Sequence, residues 1–308
     1  MPELPEVTVI TNSLNNKIRG LVMRSVEYDW PKKFYWNGFS IKDLRGKKVE
    51  GVRRWGKVII IDLVRSKAHP RGVIKASPGL HPGGELLSIV IHLKLTGQLV
   101  YQDEKTRIAG GHPIPPLNLP VPNKTTRVTF EFTNGGHLYF NDMRKFGWVK
   151  IVESSEEKIK EAIGATLGPD PLVMSYEEFR KRLMAKSKGR IKKTLMDQTF
   201  ISGVGNIYSD EGLWRAKIHP ARSVESLSEK EMRALFEGLR ESLNLAIEKG
   251  GSSANSFVDS GGEKGLFLSF AKAYHMTGRP CTRCKTLIVR KKMDGRSAHF
   301  CPNCQRLK

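Results

Sequence analysis

The chain has 308 residues, of which 39% are hydrophobic and 27% are charged, and its formal net charge is +21. This composition fits a soluble globular protein with room for two domains and a substantial core. No apolar run is long enough to span a bilayer, and the N-terminus lacks the basic-then-apolar order of a signal peptide. We therefore expect no membrane association and a cytoplasmic or nucleoid-associated location.

The positive charge is concentrated in two blocks. Residues 180–193 hold eight basic side chains and no acidic ones, and residues 264–308 hold eleven basic side chains against one acidic, Asp294. Such clustering is typical of proteins that bind polyanions, most often nucleic acid. The alternative is a solvated basic face that only keeps the protein soluble.

The first six residues combine a proline with a carboxylate. If Met1 is removed, Pro2 carries a free secondary amine, and an α-amino group titrates near pH ~8. Attack of this amine on a sugar C1′ would give an iminium ion that drives elimination, with Glu3 beside it as an acid or base. The alternative is an ordinary helix start, with Pro5 in the first turn and acids near the positive end of the helix dipole.

The first half of the chain has strand periodicity after one helix. Apolar residues at positions 7, 10, 14 and 18 predict a helix over residues 6–18. Strands are predicted at 22–29, 48–54, 57–64 and 86–94, and a hairpin at 126–133 with 137–141. A helix followed by about eight strands predicts a β-sandwich or barrel-like domain over residues 1–153. The stretches 66–85 and 104–124 are rich in Gly, Pro and His and are predicted to be surface loops.

The second half changes to helical periodicity. Residues 154–172 are predicted to link the sandwich to a helical domain over 173–265, in which Ser228 and Glu231 form a capping box before one apolar helix face. Gly203 and Gly205, just before Asn206, predict a tight turn and close approach of the backbone to a phosphate. Residues 252–265 are polar and glycine-rich and are predicted to form a flexible loop.

All four cysteines lie near the C-terminus, in two CxxC pairs: Cys281, Cys284, Cys301 and Cys304. Their spacing, with sixteen residues between the pairs, predicts one structural zinc ion with a closed shell of four thiolates. Strand signals on both sides of Asp294 and Gly295 predict a β-hairpin with Arg296 at its tip, so residues 266–308 form a finger. Redox-active CxxC pairs are the alternative, and His299 is predicted not to be a ligand.

In this order the motifs resemble the formamidopyrimidine-DNA glycosylase family of bacterial base-excision repair enzymes. The resemblance covers the whole chain: PELPE at residues 2–6, RRWGK at 53–57, HLKLTG at 92–97, NDMRKFG at 141–147, GVGNIY at 203–208, and the finger with Arg296 and the ending CQ at 304–305. Leu4 argues against the endonuclease VIII branch, which typically begins Pro-Glu-Gly-Pro-Glu. The resemblance implies an α+β multidomain fold: a β-sandwich, a helix–two-turns–helix domain and a zinc-finger hairpin, with DNA in the cleft between domains.

The resemblance also implies roles for individual residues. The catalytic residues would be Pro2, which attacks C1′ of the damaged nucleoside, Glu3, which protonates the sugar, and Lys57. The Schiff base would then undergo β- and δ-elimination. Lys57, Asn206 and Arg296 match positions that hold phosphates around the lesion. Leu95, Arg144 and Phe146 match positions that fill the gap left by the flipped base, although from the residues alone Leu95 and Phe146 also fit core positions.

The expected substrate is double-stranded DNA that contains oxidised purines, such as 8-oxoguanine and formamidopyrimidines, or abasic sites. Oxidised pyrimidines are the alternative within the same chemistry, and a non-catalytic binder of damaged DNA is the alternative from another class. Leu95 stands where the family usually has methionine, and Met276 stands where it usually has a basic residue. Nothing in the sequence indicates a fixed oligomer, and we expect a monomer.

Overall fold

The computed structural model describes residues 1–65, 86–112, 115–164, 167–252, 257–258 and 265–307. The chain divides into two compact units. The first consists of Met1–Pro2, Glu6–Ala165 and Asn255–Gly265, and the second of Glu3–Pro5, Thr166–Ala254 and Leu266–Lys308. Within the described ranges, no helix is both long and apolar enough to cross a membrane.

The first unit is built on two sheets. Its strands are β1 (Met23–Tyr28), β2 (Phe34–Tyr35), β3 (Lys47–Trp55), β4 (Val58–Arg65), β5 (Leu87–His92), β6 (Gly97–Gln102), β7 (Arg107–Gly111), β8 (Thr126–Phe132), β9 (His137–Asp142), β10 (Trp148–Glu153) and β11 (Phe257–Val258). One sheet has the order β1-β8-β9-β6-β7-β11 and the other β2-β10-β5-β4-β3. Neighbouring strands are antiparallel except for β2 and β10.

One apolar core lies between these sheets. Alternate residues of β8 (Val128, Phe130 and Phe132) point into it, as do Ile59, Ile61 and Leu63 of β4 in the other sheet. The period of two places every second side chain on the same face, as the alternation in the sequence predicts. Helix α1 (Leu4–Ile18) adds the predicted apolar face, Val7, Ile10, Leu14 and Ile18, to the same core. The predicted β-sandwich is therefore confirmed.

The second unit is helical. Its helices are α4 (Tyr176–Met184), α5 (Ile191–Met196), α6 (Asn206–Ala216), α7 (Glu229–Glu248) and α8 (Phe267–Phe270); the short α2 (Ile41–Leu44) and α3 (Glu156–Ile163) belong to the first unit. The predicted capping box is present at the start of α7. The Ser228 hydroxyl accepts the N–H of Glu231 at 3.3 Å, and the Glu231 carboxylate accepts the N–H of Ser228 at 2.9 Å.

A two-stranded hairpin ends the chain. It consists of β12 (Val289–Met293) and β13 (Arg296–Phe300), and Arg296 pairs with Met293 beside the turn. Asp294 and Gly295 have φ angles of 49° and 77°, and a two-residue hairpin turn of type I′ requires positive φ at both central positions. This confirms the predicted hairpin with Arg296 at its tip.

Two of the expected irregular stretches contain regular structure. The prediction of a surface loop at 104–124 is wrong for β7, which pairs with β6, and the prediction missed it because Ala109, Gly110 and Gly111 carry little strand signal. Within the expected linker, α3 buries Ile159 and Ala162 against β4, β5 and β10. The predicted loop at 66–85 lies outside the described residues, as does most of the predicted loop at 252–265.

Candidate functional site

The Glu3 carboxylate lies at the N-terminus of α6. Its Oε1 accepts the backbone N–H of Ile207 at 3.0 Å and its Oε2 that of Tyr208 at 3.5 Å, and the Glu3 side chain is only 4% exposed. N–H groups at this end of a helix have no partner within the helix, so they stabilise a carboxylate there. Glu3, next to Pro2 in the chain, is thus fixed by a segment two hundred residues away.

The two glycines before α6 make this contact possible. A Cβ at Gly205 would lie 2.5 Å from the Glu3 carboxyl carbon, and a Cβ at Gly203 would lie 2.6 Å from Cβ of Leu4. Gly203 has a φ of +87°, and its carbonyl oxygen accepts the N–H of Leu4 at 2.9 Å. The structure shows that the first residues of the chain, Glu3 and Leu4, come close to these glycines, and the close approach of a phosphate stays a prediction.

Asn206, the first residue of α6, is linked to Tyr274. Its side-chain Oδ1 is buried and has no hydrogen-bond partner among the described residues. Burial and the negative charge of Glu3 raise the pKa of Tyr274, whereas a hydrogen bond from Asn206 opposes this change. Tyr274 therefore belongs with Glu3 and Asn206, although the sequence did not single it out.

A buried ion pair lies on the next turn of α6. Asp210 is 1% exposed and Lys192 of α5 is 4% exposed, and Lys192 Nζ donates to Asp210 Oδ1. Asp210 Oδ2 also accepts the backbone N–H of His299 at 3.0 Å and lies 2.9 Å from its ring Nδ1. Burial lowers the pKa of Lys192, and the charges of Asp210 and Glu3 oppose that change. Asp210 thus joins both α5, through Lys192, and the finger strand β13, through His299, to α6.

Glu211 fixes the segment that leads to the finger. Its buried carboxylate accepts the backbone N–H groups of Lys272, Ala273 and Tyr274 at 2.9–3.1 Å. Burial raises the pKa of Glu211, and these hydrogen bonds oppose the rise. Glu211 therefore positions Tyr274, and Asp210, its neighbour on α6, positions β13.

The four cysteines form a metal-binding cluster. Their Sγ atoms all lie within 4.8 Å of one another, and those of Cys284 and Cys301 are 3.4 Å apart. A tetrahedral zinc site with Zn–S bonds of ~2.3 Å places its sulfur atoms about 3.8 Å apart, so the cluster fits one structural zinc ion. His299 faces Asp210 and lies outside this cluster.

Arg296 lines a basic cavity of about 730 Å³ between the hairpin tip and the loop that joins α4 to α5. Lysine side chains from the basic block 180–193 line the same cavity: Lys186, Lys188, Lys192 and Lys193. An ion pair of 3.3 Å between Arg190 and Asp294 also joins the two segments. The two basic blocks of the sequence are therefore brought together in the second unit.

In the first unit, three predicted site residues lie on two loops. Leu95 is 37% exposed and Phe146 is 47% exposed, and the Arg144 guanidinium carbon lies 4.8 Å from the centre of the Phe146 ring. The core alternative for Leu95 and Phe146 is therefore wrong. Met143, which the sequence did not single out, is 46% exposed on the same loop as Arg144.

Lys57 lies in the turn between β3 and β4 and is 7% exposed. His92, at the end of β5, lies near enough to Lys57 for the charge of Lys57 to affect the pKa of His92. Burial, followed by the charges of Lys94 and Lys57, lowers the pKa of His92 to about 3. The ring is thus neutral at pH 7, and because its Nδ1 accepts the N–H of Lys94 at 2.9 Å, its Nε2 carries the hydrogen and can donate.

Comparison with known proteins identifies the family. The profile of the formamidopyrimidine-DNA glycosylase N-terminal domain matches residues 1–149, and that of the formamidopyrimidine-DNA glycosylase H2TH domain matches residues 167–258. The profile of a zinc finger found in FPG and IleRS matches residues 278–307. The formamidopyrimidine-DNA glycosylase of Pelotomaculum thermopropionicum is 35% identical over 315 residues, which cover all of both chains. The chain belongs to the formamidopyrimidine-DNA glycosylase family.

Other relatives agree over the full length. The formamidopyrimidine-DNA glycosylase of Heliobacterium modesticaldum is 35% identical, with 99% of this chain and all of that protein covered. A crystal structure of Lactococcus lactis Fpg with DNA that contains an abasic site has a TM-score of 0.78 at 30% identity. A mutant from the same organism, bound to Fapy-dG-containing DNA, has a TM-score of 0.79 at 29% identity. Both comparisons cover 99% of this chain and all of the other.

Membership in the formamidopyrimidine-DNA glycosylase family confirms several predictions. The chain is a DNA glycosylase of DNA repair, its fold combines the sandwich, the helical domain and the finger, and the finger holds one structural zinc ion. The structure places Glu3 and Asn206 in one unit, and Lys57, Leu95, Arg144 and Phe146 in the other.

Proposed function

We propose that this family member is a bifunctional glycosylase and abasic-site lyase that removes oxidised purines from duplex DNA in base excision repair. The observation that carries this proposal is the fixed Glu3 carboxylate next to Pro2, because a protein that only bound damaged DNA would need neither a nucleophile nor an acid there. With Met1 removed, Pro2 supplies a secondary amine within one residue of that carboxylate.

The proposed reaction begins at C1′ of the damaged nucleoside. The Pro2 nitrogen forms a bond to C1′, the glycosidic bond breaks, and the base leaves with a proton from water. The Glu3 carboxylate takes the proton of the Pro2 amine and passes it to the ring oxygen as the sugar opens, which leaves an iminium ion. Loss of the C2′ proton then expels the 3′ phosphate, a second elimination expels the 5′ phosphate, and water releases the sugar remnant from Pro2.

Duplex DNA fits the charges and exposed side chains of both units. We propose that Leu95 and Phe146 replace the stacking of the flipped nucleotide and that Arg144 hydrogen-bonds the unpaired partner base. Lys57, Asn206 and Arg296 would hold phosphates, and His92 is a further neutral donor in the first unit. Lactococcus lactis Fpg is seen with abasic-site and Fapy-dG DNA, which supports the same class of substrate for this chain.

A panel of duplexes, each with one lesion, tests the proposal. The panel contains 8-oxoguanine, a formamidopyrimidine, an oxidised pyrimidine and an abasic site, and the cleaved ends are separated on a gel. We expect the two purine lesions and the abasic site to be cut to ends that carry phosphate on both sides of the gap. Preferential cutting at the pyrimidine would contradict the purine specificity, and base release without strand cleavage would contradict the lyase activity.

Arg296→Ala is expected to weaken DNA binding without loss of zinc. Because each phosphate contact releases counterions, the slope of log affinity against log salt should become shallower by about 1. Fluorescence anisotropy at several salt concentrations measures this slope. Arg306→Ala removes an equal charge from the same finger beyond Cys304 and should change the slope less. Equal slopes for Arg296→Ala and the unmodified protein would place Arg296 away from the phosphates.

A further inference from the structure

Asp142 lies where two loops cross between the sheets of the first unit. Residues 93–96 lead from β5 in one sheet to β6 in the other, and residues 143–147 lead back from β9 to β10. The loops run side by side between two strand pairings, His92 with Trp148 and Gly97 with Asp142. In the described registers the backbone ladder stops at these pairs, so other contacts must hold the loops together.

The Asp142 carboxylate supplies those contacts. It is fully buried, and its Oδ2 accepts the N–H of Gly147 at 2.7 Å. Its Oδ1 accepts the N–H of Arg144 at 3.2 Å and the hydroxyl of Thr96 from the other loop. The Thr96 hydroxyl also accepts the N–H of Arg144 at 3.1 Å. One carboxylate therefore fastens both loops, with hydrogen bonds that are strong because the acceptor is charged.

Gly147 shows how closely this junction is packed. A Cβ at Gly147 would lie 2.6 Å from the Phe140 ring, 2.9 Å from the carbonyl oxygen of His92 and 3.1 Å from Asp142 Oδ2. Residue 147 can therefore donate to Asp142 in this position only if it has no side chain. The backbone has little freedom to compensate if the carboxylate is changed.

The side chains next to these hydrogen bonds are the proposed gap-filling residues. Leu95 precedes Thr96, Arg144 itself donates to Asp142, and Phe146 precedes Gly147. Leu95 is 37% exposed and Phe146 is 47% exposed, so packing in the protein interior fixes their positions only in part. The rest of their geometry comes from the backbone of the loops that the carboxylate joins.

We propose that Asp142 is a positioning residue that sets the spacing of Leu95, Arg144 and Phe146, so that the three side chains enter the DNA as one unit. This inference rests on the proposed function, because it concerns how the gap in a duplex is filled. It assigns Asp142 no contact with the reacting atoms.

Asp142→Asn tests this role because asparagine keeps the shape but turns one acceptor into a donor. The amide group would face either the N–H of Gly147 or the N–H of Arg144, and the loop 143–147, which holds both, would shift. We expect the single-turnover rate of 8-oxoguanine release from duplex to fall about tenfold. Cleavage of an abasic site in single-stranded DNA should stay within about twofold, because no stacked duplex has to be restored there.

Asp103→Asn is a matched control. The Asp103 carboxylate also accepts one hydroxyl and two backbone N–H groups, those of Tyr101, Lys105 and Thr106, at the other end of β6. The Asp103→Asn variant should leave the rates on duplex and on single-stranded DNA within about twofold of those of the unmodified protein. Equal losses on duplex and single-stranded substrates for Asp142→Asn would show a merely structural role and overturn the proposal, as would no loss on either.

If Asp142→Asn does not fold, the variants Thr96→Val and Thr96→Ser test the same hydrogen-bonded junction from its other side. Valine removes the hydroxyl that joins the loops and should reproduce the selective loss on duplex, whereas serine keeps the hydroxyl and should retain activity. Equal duplex activity of the two variants would overturn the proposal. If the unmodified protein released no oxidised base from any duplex, the proposed function would fail and this inference with it. An active protein whose Asp142→Asn and Thr96→Val variants match it would refute this inference alone.

Discussion

A chain whose Pro2 is replaced by glycine is expected to lose most of the covalent complex that borohydride traps on 8-oxoguanine duplex. A secondary amine forms an iminium ion that keeps its charge, whereas the primary amine of glycine forms an imine that loses its proton and becomes a weaker electron sink. We expect the trapped yield to fall by about tenfold or more. Retention of Met1 should abolish trapping, because Pro2 is then an amide nitrogen.

Pro5→Gly is the matched control for this experiment. It makes the same exchange three residues further on, in the first turn of α1, and the N-terminal amine is unchanged. Trapping should stay within about twofold of the unmodified protein, although the helix becomes less stable. Undiminished trapping by a preparation in which mass spectrometry shows Met1 on every chain would refute Pro2 as the nucleophile.

Cys301→Ser is expected to remove zinc and most of the DNA affinity together. A two-stranded hairpin is marginally stable alone, and structural zinc contributes about 10–16 kcal/mol to the folding of such peptides. The apolar residues that pack with the cysteines are few: Trp214, Ala273 and Ile288, with Met276 at the edge. Metal analysis should fall from one zinc per chain to none, and duplex affinity should fall at least about tenfold.

Two comparisons separate the loss of zinc from the loss of charge. Arg296→Ala removes the contact at the tip but keeps the metal, so it should lose less affinity than Cys301→Ser. Ser297→Ala changes a polar side chain of the same hairpin without touching the cluster and should keep both zinc and affinity. A zinc-free Cys301→Ser protein that binds duplex as tightly as the unmodified protein would show that the finger makes no contribution to binding.

Strands β1, β3, β4, β5, β8 and β9 and the long helices α1 and α7 could be predicted because their patterns are local. Alternation in β8 and the apolar face of α7 are each complete within one segment, so the sequence shows them directly. Strand β7 was missed because two of its five residues are glycine, and the eight-residue α3 was missed because it follows the sandwich where a linker was expected. Short elements depend on neighbours that the sequence does not identify.

The residues of the site also divide into those that a local pattern shows and those that depend on distant partners. Pro2 and Glu3 are adjacent in the chain, and the CxxC spacing is local, so both were recognisable. Asp142 binds Thr96, 46 residues away, and Asp210 binds His299, 89 residues away, so neither role is visible before the chain folds. Lys192 stands in a run of basic residues that resembles a solvated face, and only tertiary packing shows that it is buried.

The hydrogen bonds between the first residues and the start of α6 also order events during synthesis. Glu3 and Ile207 are separated by 204 residues, so the ribosome needs about 10–40 s after it adds Glu3 to reach Ile207, the hydrogen-bond partner of the Glu3 carboxylate. Pro2 is buried in the folded chain. An aminopeptidase that removes Met1 therefore acts most easily on the nascent chain, before the helical unit exists. The Glu3 carboxylate reaches its place at the start of α6 only after α6 has been made.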